Sequence, residues 1–389
     1  MKKPNRNISR LGIVSLFTDW ASEMSFPLLP LFLTNYLKAT KTEVGFIEGL
    51  AELTASLLKV LSGALSDRSG KRKPWAVAGY GLSALAKPLL ALTAGWGHVL
   101  GIRIADRFGK GIRTSPRDAL IAGYSNKKVS GKSFGLHRGL DNLGAILGTL
   151  CAFMLLKWLG ESEHSFRLIF ALAIIPGVLA VVVLVFAVRE PPGTQAPGKA
   201  KLFAVKGFAP GYFRFLIIQA IFSAVAMNYA FMILKAEHVG IKIGYIPLAY
   251  LLYNMVYFVF SYPAGLLADR IGKVPVMSAT YLAFACGVLC FTLANPWAGW
   301  IAFALYGLYM AGFQTVSRAM ISDMIPQGKS GLAFGVYHTA IGLASFLSLA
   351  LAGYLWDSLG ANSPFYLAAT VATLLAFALP MLLRSGRKS

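Results

Sequence analysis

Thirteen consecutive residues, DRFGKGIRTSPRD from Asp106 to Asp118, carry six charges: Asp106, Arg107, Lys110, Arg113, Arg117 and Asp118. They stand where the spacing of apolar segments calls for a membrane span. On an ideal helix each residue advances about 100°, which confines Arg103 and these six to an arc of roughly 140°. Ile104, Phe108 and Ile112 are left on the opposite side. A charge turned toward lipid is costly, so the stripe must face a wet cavity or other polar side chains.

Further ionisable residues fall at helical spacing within apolar stretches of the same half. Asp19 and Glu23 are one turn apart, as are Glu48 and Glu52, which share a face with Ser56 and Lys59. Lys87 sits near the centre of a third segment, and His137, Arg138 and Asp141 lie in a fifth. A carboxylate withdrawn from water holds a proton more tightly, and an approaching arginine releases it, which is what proton coupling requires. Asp19, Glu23, Arg103 and Asp106 are the expected coupling residues. The second half offers amides and aromatics instead: Gln219, Asn228, Tyr229, Tyr253, Asn254, Tyr257, Gln314 and His338. The expected substrate contacts are therefore Glu48, Glu52, Lys87, Arg107, His137, Arg138 and Asp141 from the first half, with Tyr229, Asn254, Tyr257 and Gln314 from the second. A second reading makes the first-half charges a buried ion-pair network that holds helices together.

These residues need a membrane scaffold, and the composition supplies one. Of 389 residues 56% are hydrophobic and 14% charged, against roughly 25% charged in soluble domains. Mean hydropathy is +0.62. A net charge of +21 does not mark a nucleic-acid binder, because runs such as LIFALAIIPGVLAVVVLVF leave no folded basic face to carry it. Cys151, Cys286 and Cys290 all lie in apolar segments and are odd in number, so no disulfide framework follows. The sequence has no GxxxxGK(S/T) or HExxH, which leaves ATP-driven pumping without machinery, and its GxSxG, Gly131 to Gly135, opens a predicted helix with no strand before it, so it is no nucleophile elbow for hydrolysis. Neither a cofactor nor a resident metal is expected, and the coupling ion is the proton.

About 20 residues cross the hydrocarbon layer. Helices are predicted near 11–36, 43–66, 75–95, 98–122, 132–157 and 166–188, then near 212–235, 245–267, 275–294, 297–323, 331–356 and 364–383. The first is read as an uncleaved span that continues through Pro27 and Pro30. Residues 189–211, rich in Pro, Gly and Lys, read as a linker between a unit at 1–188 and a unit at 212–389. Lys2, Lys3, Arg6, Arg10, Lys71, Arg72, Lys73, Lys127, Lys128, Lys132, the linker and the tail fall on one side of the spans. Connections such as GWGH and NPWAGW on the other side have no Lys or Arg, which places both termini in the cytoplasm.

The two halves repeat. GALSDRSGKR from Gly63 returns as GLLADRIGKV from Gly265, SGKSFG from Ser130 returns as SGLAFG from Ser330, and Arg117 aligns with Arg318, all at an offset of about 200 residues. A duplicated six-helix unit follows, both copies in the same orientation.

With these motifs in place the whole chain resembles the major facilitator superfamily. Gly63, Asp67, Arg68, Gly70, Lys71 and Arg72 look like that family's loop signature between its second and third helices, and Gly265, Asp269, Arg270, Gly272 and Lys273 like its second-half echo. The resemblance implies an all-α membrane protein of twelve transmembrane helices in two pseudo-symmetric six-helix bundles. It also implies a switch formed by Asp67, Arg68, Arg117, Asp269 and Arg318, with Asp67 meeting Arg117 and Asp269 meeting Arg318. A carboxylate at a helix start gains on the order of 0.3–1 kcal/mol, enough to bias one access state.

Asp19 followed by Pro27 and Pro30, together with Arg103, resembles the drug/proton antiporter branch, and Gly144 and Gly148 partly resemble its glycine motif. Leu140 and Ala145 depart from that motif, and Asp106 and Arg107 stand where Gln and Gly are usual. The function expected is proton-coupled export of a small organic molecule by alternating access, by a monomer in a bacterial cytoplasmic (inner) membrane. Its partners are the substrate and the lipid bilayer. Organic-anion or phosphorylated-metabolite uptake or exchange through Lys87, Arg107 and Arg138 is the alternative, and divalent-metal export through Asp19, Glu23, Glu48 and Glu52 a further one.

Overall fold

The computed structural model describes residues 6–69, 71–124, 130–190, 210–324 and 330–384. Most of the linker, Lys2, Lys3, Lys127 and Lys128, and the side chains of Asp67, Arg68 and Lys132 lie outside the described residues. All regular structure among the described residues is helical. The helices are α1 (Arg6–Ser25), α2 (Leu29–Asn35), α3 (Lys41–Ser69), α4 (Lys73–Leu89), α5 (Trp96–Tyr124), α6 (Ser130–Leu159), α7 (Glu163–Leu172), α8 (Ile174–Val182), α9 (Pro210–Ser223), α10 (Tyr229–His238), α11 (Ile246–Ile271), α12 (Lys273–Cys290), α13 (Pro296–Met324), α14 (Ser330–Leu359) and α15 (Ser363–Arg384). Seven helical stretches among the described residues are long and apolar enough to cross a membrane.

Three predicted spans are broken, and each break has a local cause. The first does not continue through Pro27 and Pro30 as the sequence reading expected: α1 stops at Ser25 and α2 starts at Leu29. Pro27 and Pro30 lack the N–H groups that Glu23 and Phe26 carbonyls would accept, so the ladder cannot run on. Pro176 likewise deprives the Leu172 carbonyl, and α7 gives way to α8 there. The seventh span is interrupted after Ser223 and restarts at α10, where Asn228 accepts from Ala230 N at 2.9 Å as a side-chain cap.

The chain forms two compact units, residues 1–38 with 50–202, and residues 39–49 with 203–389. Apolar burial does little to bring helices together in lipid, where close packing and polar contacts take over. In the first unit a methyl group at Gly144 would lie 2.2 Å from Leu16 O and one at Gly148 2.5 Å from Trp20 O, so these glycines let α6 lie directly on α1. Gly12 of α1 receives Leu140 in turn, the residue that departs from the glycine motif. Gly79 and Gly109 do the same for α4 and α5, each facing the other's carbonyl oxygen. Glu190 caps α4 from a distance in sequence, accepting Arg72 N at 2.8 Å and Lys73 N at 2.9 Å.

The second unit packs around aromatic rings. Phe222 of α9 stacks on Tyr281 of α12 at 4.2 Å between centroids and meets Phe284, Tyr309 and Phe313 at 5.2–5.7 Å. Asp357 of α14 caps the start of α3, accepting from Lys41 N at 3.2 Å and from Thr42 N and Oγ1 at 2.7 Å each.

Candidate functional site

Helices α4 and α5 of the first unit turn the charged stripe inward. Arg103, Asp106, Arg107, Arg113 and Arg117 are buried, while Phe108 on the opposite side is exposed. The amphipathic face read from the sequence is therefore an inward face. Lys87 and Asp106 form an ion pair, Nζ to Oδ1 3.2 Å, with side chains only 1% and 3% exposed. Ser83, one turn before Lys87, binds both: its hydroxyl donates to Asp106 Oδ1 and accepts from Lys87 Nζ at 2.8 Å, and its carbonyl accepts from Nζ at 3.0 Å. An ammonium has three protons, and Lys87 has three acceptors for them. Lys87 and Asp106 thus form a buried ion pair that joins α4 to α5.

The break between α1 and α2 positions a residue that sequence reasoning missed. Phe26 follows the last helical residue of α1, its N–H donating to Ser22 O at 2.8 Å, and its ring projects into the basic cluster. Arg103 Cζ stands 4.2 Å from the ring centre, Arg107 Cζ 5.3 Å and Lys87 Nζ 5.7 Å. A desolvated cation over an aromatic face gains about 2 kcal/mol, and an exposed one about 0.5–1. The ring thus holds like-charged groups together that would otherwise repel. Glu52, on α3, lies in the field of Arg107, Lys59, Lys110 and Arg103. Glu48, one turn earlier, is buried.

A second cluster lies where α1, α5 and α6 meet. The carboxyls of Asp19 and Asp141 are hydrogen-bonding neighbours, with Glu23 and Arg113 in the same field. Arg138 Nη1 reaches Asp141 Oδ2 at 3.3 Å from the exposed rim. Arg113 Cζ lies 4.4 Å from the centre of the Tyr80 ring. Ser15 Oγ contacts both Tyr80 Oη at 3.5 Å and His137 Nε2 at 2.8 Å, so His137 belongs to this cluster through a hydroxyl rather than a carboxylate. Sequence spacing placed Asp19, Arg113 and Asp141 on the right faces; nothing in it singled out Tyr80, Ser83 or Phe26 among 16 tyrosines and 26 phenylalanines.

The second unit differs. Gln219, expected to shape a substrate site, is fully buried and tied up, donating to Ser317 Oγ at 2.7 Å and accepting from Tyr281 Oη at 2.9 Å. Tyr229 and Tyr253 both pack against Tyr250, at 5.5 and 5.2 Å, and Tyr257 stacks on Tyr253 at 6.4 Å. Asn254 keeps a buried Nδ2 without a hydrogen-bond partner among the described residues, a donor available to a ligand. Gln314 accepts from Arg318 Nη2 at 3.3 Å.

Of the two switch pairs, Asp269 with Arg318 is not formed, and Asp67 with Arg117 falls outside the described residues. Arg117 meets its neighbour Asp118 at 2.8 Å, and the side chain of Asp67 lies outside the described residues. Asp269 is exposed and makes no ion pair with Arg318; the pair at that end joins Lys273 and Asp323. The reason is reach: Arg318 folds back along α13 to Gln314 one turn earlier, while Lys273 at the start of α12 points at the last turn of α13.

Comparison with known proteins gives this architecture its family. The family model described as Major Facilitator Superfamily matches residues 11–234 and 215–389. An uncharacterized MFS-type transporter of Methanocaldococcus jannaschii is 35% identical over 362 residues, covering 90% of this chain and 89% of its own. Multidrug resistance protein MdtH of Photorhabdus laumondii is 32% identical over 134 residues, 34% of this chain and 33% of its own. Among solved structures, the nucleoside transporter NupG superposes with a TM-score of 0.83 at 13% identity, covering 97% of this chain and 100% of that one. A POT family transporter in complex with 5-aminolevulinic acid gives 0.82 at 12% identity, covering 98% and 97%. These two likenesses show the fold. With both repeats matched and charges turned inward in an apolar chain, the protein is a multi-pass membrane transporter, not an enzyme, and it belongs to the Major Facilitator Superfamily.

Proposed function

We propose that this protein is a proton-coupled secondary transporter that exports a small organic molecule by alternating access of its two halves. The observation that carries the coupling is the meeting of the Asp19 and Asp141 carboxyls inside the first unit. Two carboxyl groups at hydrogen-bonding distance hold one proton between them, since neither oxygen can donate without it. Arg138 touches Asp141 and Arg113 faces Asp19, so a shift of either arginine alters the charge the pair sees and releases the proton. Export is supported by the stretch of similarity to a multidrug resistance protein.

The test is flux in proteoliposomes under an imposed pH gradient, comparing the parent with Asp19→Asn and Glu23→Gln. Asp19→Asn removes the shared proton, so transport should lose its dependence on the gradient while substrate binding persists. Coupled flux unchanged in both variants would overturn the proposal.

One observation favours a second reading of the substrate. Arg103 and Arg107 gather on Phe26 beside the Lys87–Asp106 ion pair, and the guanidinium is the group that binds a carboxylate or phosphate bidentately. Under this reading the substrate is an organic anion, and candidate anions, not cations, dissipate the proton gradient.

A further inference from the structure

One buried cation of the first unit lacks a hydrogen-bond acceptor. Arg113 of α5 is 5% exposed, and its Nη1 has no partner among the described residues. A guanidinium taken out of water and left without an acceptor is costly, and ionisable groups kept within a membrane mark proton or solute paths. In place of an acceptor Arg113 has a ring: its Cζ lies 4.4 Å from the centre of Tyr80.

Three helices fix that ring. Gly79 brings α4 so close to α5 that an added methyl group would lie 2.7 Å from Arg113 Cβ, which sets the next residue, Tyr80, beside the arginine. The Tyr80 side chain is buried and packs in one cluster with Leu11 and Val14 of α1 and Leu120 and Ile121 of α5. Its hydroxyl meets Ser15 Oγ at 3.5 Å, one turn before Asp19 on α1.

Arg113 also lies in the field of Asp19, so its guanidinium has two stations, an aromatic face and a carboxyl. The proton decides between them. While Asp19 and Asp141 share one proton, the pair carries a single negative charge, which Arg138 offsets, and Arg113 stays on the ring. Once the proton leaves for water the pair carries a second charge, and a charge-assisted hydrogen bond from Arg113 to Asp19 outweighs the ring. Arg138 cannot balance that second charge: it is on Asp141 already at 3.3 Å, and 56% of its side chain is exposed, so solvent damps its pull. The other charged or titratable groups facing the pair or Arg113 are Glu23 on α1, Lys87 on α4, Lys110 and Arg117 on α5 and His137 on α6. Lys87 is engaged by Asp106 and Arg117 by Asp118, whereas Arg113 has only the ring among the described residues.

We infer that Tyr80 is a positioning residue of proton coupling: its ring holds Arg113 off the Asp19–Asp141 pair while the pair is loaded, and yields it to Asp19 when the proton departs. The inference rests on the coupling reading above and deepens it, naming the arginine that competes with the proton and the ring that restrains it. Without the ring, Arg113 stays on Asp19, the charged form is favoured, and a more acidic medium is needed to load the pair. Without the arginine nothing competes, and the pair loads at higher pH.

The test needs no substrate. The full-length protein in lipid nanodiscs is titrated with acid while infrared spectroscopy follows the carboxylic-acid carbonyl band, which a carboxylate lacks; the part of the band lost in Asp19→Asn belongs to the pair. Tyr80→Leu should lower the midpoint of that band by about one pH unit, and Arg113→Gln should raise it by a similar amount. Tyr80→Phe, which keeps the ring, should keep the parent's midpoint, and the double variant Tyr80→Leu with Arg113→Gln should titrate like Arg113→Gln alone. Melting temperatures are measured alongside, and Tyr80→Met, closer to the ring in volume, replaces Tyr80→Leu with the same expected shift if the latter does not fold. General damage would move both single variants the same way, so shifts of one sign, or an unmoved midpoint in Tyr80→Leu, would overturn the inference while leaving the coupling reading intact. A shift in Tyr80→Phe as large as in Tyr80→Leu would also overturn it, since the hydroxyl and not the ring would then be responsible. An Asp19→Asn variant that loses none of the band would overturn the coupling reading and the inference with it.

Discussion

Helices α5 and α13 are the same element of the repeat, each 29 residues long, yet they bury opposite chemistry. The inward face of α5 carries Arg103, Asp106, Arg107, Arg113 and Arg117, whereas that of α13 carries Phe303, Tyr306, Tyr309, Phe313 and Met320. One scaffold accepts either set because the backbone of each helix satisfies itself, so the membrane constrains only which faces are polar and with what partners. In the first unit the interior is held by charge pairs and by rings placed under cations. In the second it is held chiefly by rings on rings, with a relay through Gln219 and a buried Lys235, hydrogen-bonded to Asn362 and 5.6 Å from the Trp356 and Phe365 ring centres, as polar components.

The sharpest way to break that comparison is to remove one partner of the central ion pair. Asp106→Asn leaves the Lys87 ammonium buried without its counter-charge, and stability should fall by about 3–5 kcal/mol. The double variant Lys87→Met with Asp106→Leu should recover most of the loss, because two apolar groups avoid the desolvation that a broken pair incurs. Thermal unfolding in detergent measures both, and a single variant as stable as the parent would mean that the pair contributes nothing.

Gln219→Leu tests the second unit on the same scale. It strands Tyr281 Oη, a loss of about 1–3 kcal/mol, smaller because no full charge is uncovered. A drop as large as that of Asp106→Asn would erase the distinction between the units.

Phe26→Leu should have the mildest effect on stability and a selective one on binding. Without the ring, Arg103 and Arg107 lose about 0.5–2 kcal/mol of organisation, a roughly 2–30-fold weaker affinity for an anionic ligand. A binding titration that shows equal weakening for neutral and anionic ligands would assign Phe26 to packing alone.

Much of this architecture was legible beforehand. The bounds of α3, α5, α11 and α13 agree with the spans read from apolar runs to within a few residues, because a helix in lipid is specified by some 20 neighbouring side chains. The inward turn of α5 followed from the 100° step alone. The break at Phe26 and the inward aim of its ring were not legible, since Pro27 signals an interruption without saying where the preceding side chain goes. The pairing of Lys273 with Asp323 in place of Asp269 with Arg318 was missed for a related reason: repeat alignment matches residues, whereas ion pairs depend on the reach of individual side chains.

Local order was therefore written in the chain itself: which segments are helices, which face of α5 is polar, and that a set of loop motifs occurs twice. Hydrophobicity and helical period act over a few turns and need no knowledge of what lies across the bundle. Only the folded arrangement decided which carboxyls meet, which cations share one ring, and which carboxylate caps which helix start. Those contacts join residues far apart in the chain, and they turn on fits of a few ångströms, such as Leu140 against Gly12, that no local pattern encodes.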